Sequence, residues 1–239
     1  MSQYAVWNEK THGWEIINKL GHIQYLDVPN LPSVVDIGLL GTRCLHEIPV
    51  KPNKTTAMGR MLDELNRPLY LIDTRRDGTG AQSSWSPREF ATIIPAMVRK
   101  PMEFLHLPAA APSIGLLDED RKVRKAGKVL PWQEFKRQYD TALTNESVDV
   151  VRAYVEAAAA VGGMAIILCA EPYCPDFDAL AQEHQEEYYC HRFTLAQRVV
   201  QSILAARNDS VDVKLINLEL SDFVKSGRYW TPRSQCYKY

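Results

Sequence analysis

Five short apolar runs, separated by longer stretches with helical spacing, constrain this chain more than any other feature. They are residues 33–40 (SVVDIGLL), 68–76 (PLYLIDTRR), 102–107 (MEFLHL), 164–171 (MAIILCAE) and 211–218 (VDVKLINL). Each is far shorter than the roughly 20 residues a membrane helix needs. Their nearly continuous apolar character is that of strands covered on both faces. The segments between them repeat apolar residues every three to four positions. Met58, Met61, Leu62 and Leu65 share one helical face, and so do Phe135, Tyr139 and Leu143. Residues 86–98 announce a helix start: Ser86 can cap, Pro87 suits the first helical position, and Glu89 completes a capping box. Phe90, Ile93, Ile94 and Met97 form its stripe, and Pro95 is expected to kink or shorten it. Residues 147–163 form the clearest helix, Ala-rich and stopped by Gly162 and Gly163. Residues 191–207 supply the last one.

Strands alternating with helices predict a single α/β domain over residues 33–220, with a mainly parallel sheet flanked by helices in a Rossmann-like three-layer arrangement. Residues 1–32 read as an irregular N-terminal extension packed on that domain. In it Trp14, Ile17 and Leu20 are consistent with a short helix and residues 22–28 with a strand. Residues 221–239 read as a C-terminal tail.

A chain of 239 residues, 46% hydrophobic and 24% charged, has the size and composition to bury one large core. The opening MSQYAVWNEK lacks the basic and apolar regions of a signal peptide, and the five cysteines have no regular spacing. Reduced thiols, a cytoplasmic location and no membrane partner are therefore expected. The net charge of −1 offers no general attraction for nucleic acid. Two local patches do: the basic run RKVRKAGK at 121–128, read as a flexible loop, and the tail at 227–239. That tail mixes Arg228, Arg233 and Lys238 with Tyr229, Trp230, Tyr237 and Tyr239. Cations bind phosphate and aromatic faces stack on bases. The plainer alternative is a solvated loop and a tail docked on its own domain.

Parallel sheets bind ligands outside the carboxyl ends of their strands. Asp73, Arg75 and Arg76 end the second run, His106 lies near the end of the third, and Cys169 and Glu171 close the fourth. Cys190, His191 and Arg192 open the helix after it. Arginines suit bidentate recognition of phosphate or carboxylate, and a helix N-terminus adds N–H donors. Arg75, Arg76, Arg192 and His106 are thus candidate substrate-binding residues, and Asp73, Glu171 and His191 candidate acid–base residues. Cys190, beside His and Arg at a helix start, is a candidate nucleophile; Cys169, on a buried strand, reads as a packing residue. Alternatively, Asp73 and Glu171 simply pair with Arg75 and Arg192 to tie strand ends together. Zinc held by Cys169, Cys174, Cys190, His184 and His191 is a third option, but their spacing matches no paired ligand pattern, so no metal is expected. There is no Gly-x-Gly-x-x-Gly or Walker-type loop, and RDGTGAQSS at 76–84 reads as a polar loop over the site. His12, His22 and His46 read as structural. No cofactor or oligomeric state is specified by these residues.

In this order the residues resemble a bacterial and archaeal family, domain of unknown function 488. The resemblance runs through Asp73-Thr74-Arg75, His106-Leu107-Pro108, the aromatic-spaced WQEFKRQY, Cys169-Ala170-Glu171 and Cys190-His191-Arg192, over roughly residues 33–218. The chain departs from the family pattern in the long segment 172–189 and in AAAPSIG after His-Leu-Pro, where the family has a Gly-rich turn. The family carries no settled reaction, so the resemblance implies a fold and a site more than a chemistry. The leading expectation is an enzyme with an Arg/Glu/Asp anion pocket. It would act on a nucleotide-like or nucleic-acid substrate by hydrolysis, transfer or glycosidic cleavage. The contrasting expectation is a non-catalytic nucleic-acid or protein interaction module that uses the basic run and the tail.

Overall fold

The computed structural model describes residues 2–8, 13–17, 23–24, 33–41, 57–76, 87–128, 130–169, 191–207, 211–218 and 237–238. Strands β4 (Val34–Gly41), β5 (Leu69–Asp73), β6 (Met102–His106), β7 (Met164–Cys169) and β8 (Asp212–Leu218) are the five apolar runs. They form an all-parallel sheet in the order β6-β5-β7-β4-β8. The three-layer α/β architecture expected from the alternation is the one present.

Alternation along each strand sends side chains to two cores. In β7, Met164, Ile166 and Leu168 join Met61 and Leu62 of α1 (Ala57–Glu64) and Ile94 of α2 (Pro87–Met97). Ala165, Ile167 and Cys169 enter the larger core on the opposite face. There they meet α4 (Trp132–Ala142), α5 (Asn145–Ala160) and α6 (His191–Arg207). The helices that follow β4 and β5 therefore cover one face, and those that follow β6 and β7 the other. Because β5 lies beside β7, the chain diverges to opposite faces at their carboxyl ends. Such a switch point leaves a crevice.

Local signals set the helix limits. Thr144 caps α5 by accepting from Ser147 N at 3.2 Å. The far end closes in a Schellman turn, with Gly162 at φ 68°, Gly162 N donating to Ala159 O and Gly163 N to Ala158 O. Gly163 then passes so close to the next strand that a Cβ there would lie 2.8 Å from Pro68 O. Helix α2 begins at Pro87 and ends two residues past Pro95.

Three expectations are corrected. The basic run is not a loop: residues 121–125 form the last turns of α3 (Ile114–Lys125), which closes at Gly127 with φ 71° and Lys128 N on Val123 O. Leu116 and Val123, two helical turns apart, pack against the larger core and hold that charged segment helical. Trp14 and Ile17 belong to strand β2 (Gly13–Ile17), not a helix. Nor is the N-terminal extension irregular where it is described. β1 (Ser2–Asn8) adds to the sheet parallel to β6, and β2 and β3 (Ile23–Gln24) continue it antiparallel. Residues 237–238 of the tail form β9 (Tyr237–Lys238), antiparallel to β8.

Between β6 and α5 lies a half-buried carboxyl group. Glu103 faces Tyr70 across the β5–β6 pair, and the Tyr70 ring meets the Tyr154 ring edge-on at 5.3 Å. Burial pushes the Glu103 carboxyl above its ordinary value. Burial, and then the Glu103 charge, raise the Tyr70 and Tyr154 phenols.

Candidate functional site at the β5–β7 crevice

Asp73 ends β5 in register with His106 on β6 and Leu168 on β7. The chain leaves the sheet there through Thr74, Arg75 and Arg76. Asp73 and Thr74 are fully buried, and Arg75 is 5% exposed. Charged groups so placed persist only when paired, and here the pairing is local. Arg75 Nε lies 2.9 and 3.1 Å from the two Asp73 oxygens, Nη2 lies 2.6 Å from Oδ2, and Arg75 N donates to Oδ1 at 3.0 Å. The Arg75 carbonyl is turned toward β6, where it accepts from His106 Nε2 at 2.7 Å. Arg76, half-buried, donates from Nε to Pro112 O at 2.9 Å.

Thr74 is the joint of the site. Its hydroxyl donates to Leu168 O at 2.7 Å, and its backbone N donates to the same carbonyl at 3.1 Å. A hydroxyl has one hydrogen, so the contact of 3.1 Å to His191 Nε2 has the imidazole as donor. His191 opens α6 and is 4% exposed, with the Tyr139 ring edge-on at 5.5 Å. Tyr139 is anchored by its hydroxyl to Ala110 O at 2.7 Å. Next to His191, Arg192 is 1% exposed, and its Nη1 donates to Cys169 Sγ. Cys169 is itself fully buried and part of the larger core.

These bonds form one continuous path from His106 through Arg75 and Thr74 to β7, and from β7 to the first turn of α6. Of the residues singled out from sequence, Asp73, Arg75, Arg76, His106, His191, Arg192 and Cys169 gather at this edge. Glu171, Cys190, Cys174 and His184 lie outside the described residues, as do His12, His22, His46 and nearly all of the 76–84 loop. Sequence reasoning passed over Thr74 and Tyr139 as site residues. A small polar residue between two charged ones, just beyond an apolar strand, was the available signal for Thr74. Tyr139 gave none, because its spacing is that of any core aromatic.

Asp73 pairs with Arg75, and the guanidinium groups of Arg76 and Arg192 lie at the same edge. The first turn of α6 contributes the partial positive charge of a helix N-terminus. An arrangement of this kind attracts an anion, and two imidazoles beside it offer proton transfer. Among the described residues no three His, Cys, Asp or Glu side chains cluster as metal ligands, and no helix is long and apolar enough to cross a membrane. No family model matches the chain, and the searches of curated proteins and of solved structures each gave no match.

Proposed function

We propose that the β5–β7 crevice is the pocket of an enzyme acting on an anionic, nucleotide-like or nucleic-acid substrate. The reaction would be hydrolysis, transfer or glycosidic cleavage. The observation that carries this reading is the joining of three strand ends and one helix start, at a switch point, around three arginines and two histidines. Arg76 is the half-buried arginine of the three and therefore the one best exposed to an incoming phosphate. Glu171, two residues past Cys169 in sequence, is the proposed catalytic carboxylate, and Cys190, the residue before α6, the proposed nucleophile. Kinship with domain of unknown function 488 is part of this proposal and rests on the residues quoted above. So does a cytoplasmic location, which rests on cysteine usage.

The test is a titration with inorganic phosphate and a panel of nucleotides, followed by assays for phosphate and base release. Saturable binding is expected, weakened about tenfold or more by Arg76→Ala, as loss of a charge-assisted contact implies. Turnover should vanish in Glu171→Ala while binding remains. Absence of binding across the panel sinks the reading. The interaction-module reading is favoured by one observation: Arg121, Lys122, Lys125 and Lys128 are all exposed at the end of α3. It wins if neutralising residues 121–128 abolishes nucleic-acid binding and Glu171→Ala changes nothing.

A further inference from the structure

The two histidines at the crevice are hydrogen-bonded in ways that give them different work. A carbonyl oxygen only accepts, so the 2.7 Å contact from His106 Nε2 to Arg75 O requires hydrogen on Nε2. The Thr74 hydroxyl already donates its one hydrogen to Leu168 O, which likewise puts hydrogen on Nε2 of His191. In His106 the nitrogen left to take up or give a proton is therefore Nδ1. The environments differ. His191 is nearly buried at the first position of α6, against Tyr139 and tied to β7 through Thr74. His106 is half-buried at the strand end, beside the peptide that leads into Arg76.

We infer that His106 is the proton-carrying group of the pocket, through Nδ1, and that His191 is a positioning residue that locks α6 to the strand ends. This rests on the anion-pocket reading above and adds the residue that handles the proton. Among the described residues, the charged groups next to His106 are Asp73, its register partner on β5, and Arg75, whose carbonyl it holds, with Arg76 following. Asp73 is occupied by Arg75, so the Arg75 carbonyl, rather than a carboxylate, fixes the His106 ring. With Nε2–H held on that carbonyl, a proton arriving from a substrate, or leaving toward one, passes through Nδ1. An anion seated at Arg76 then gains a second positive group when Nδ1 is protonated.

Sulfate is the probe, because it does not titrate in the range where histidine does. Its affinity for the wild-type protein is expected to rise about tenfold from about pH 8 to about pH 5.5, the worth of one favourable charge contact. In His106→Gln the amide nitrogen can keep the bond to Arg75 O but carries no titrating site, and sulfate affinity should be flat over that interval. Ring-nitrogen NMR of the wild type supplies a second measurement that needs no variant: His106 should hold Nε2–H throughout and gain and lose its proton at Nδ1. A proton leaving from Nε2, or an unchanged pH dependence in His106→Gln, overturns the inference while anion binding stands. Failure of the wild type to bind sulfate at any pH overturns the pocket reading itself.

Discussion

Replacing Asp73 by Asn tests whether the crevice is built on a buried charge pair. The carboxylate is fully buried and meets Arg75 through N, Nε and Nη2, at 2.6–3.1 Å. In the Asp73→Asn variant the new amide oxygen can still accept from N and Nε of Arg75. The amide NH2, however, would face Nη2, donor against donor, and the guanidinium, only 5% exposed, would lose the charge of Asp73. Removing one partner of a buried pair costs about 3–5 kcal/mol. Because the substitution keeps shape and two bonds, the lower end applies, about 3 kcal/mol, or roughly a 150-fold shift toward the unfolded chain. Urea unfolding followed by fluorescence of the five tryptophans reads this as a lower midpoint at constant slope. Adding Arg75→Gln should return part of the loss, because the buried cation that faced the new amide is gone, with a coupling of about 2 kcal/mol in the double-mutant cycle. A loss below about 1 kcal/mol, the range of exposed pairs, would mean that water reaches the carboxylate and that the pair does not organise the strand end.

Gly163→Ala should destabilise the protein by about 1–3 kcal/mol in the same unfolding assay, since its Cβ would meet Pro68 O and Ala158 O at 2.8 and 3.0 Å. Wild-type stability there would mean that the α5–β7 turn yields easily. Glu103→Gln should raise stability at pH 7. The folded protein holds the Glu103 proton more tightly than the unfolded chain does, so this group favours folding below its unfolded value and loses that contribution as pH rises through its raised folded value. The gain over wild type should disappear below about pH 4, where both side chains are neutral, and a gain that persists there would refute burial as the cause.

Much of the fold was legible because strand and helix periods are properties of adjacent residues. The five apolar runs became the five parallel strands, and the glycine pair after α5 became its Schellman turn. Dense charge hid α3: only Leu116 and Val123 face the core, and a stripe that thin is recognised once the partner surface is known. The N-terminal strands were missed for a related reason. Trp14 and Ile17, three apart, match a helical face, whereas a strand turns them to opposite faces, and pairing with β1 decides for the strand. At the site, residue types and their places at strand ends were readable from order alone, as the gathering of Asp73, His106, Cys169 and His191 illustrates.

By itself, then, the sequence determined which segments are strands and which charged residues follow them, since both depend on neighbours along the chain. Only tertiary structure decided that β7 lies between β5 and β4, and this brings Thr74 onto Leu168 and His191 onto Thr74. It also decided what each polar group is left free to do. Asp73 holds Arg75 two residues away, and the Arg75 carbonyl holds His106 through Nε2, which leaves Nδ1 for exchange. A hydrogen bond uses up a donor at a particular place in space, and no spacing along a chain reports which donors have been used.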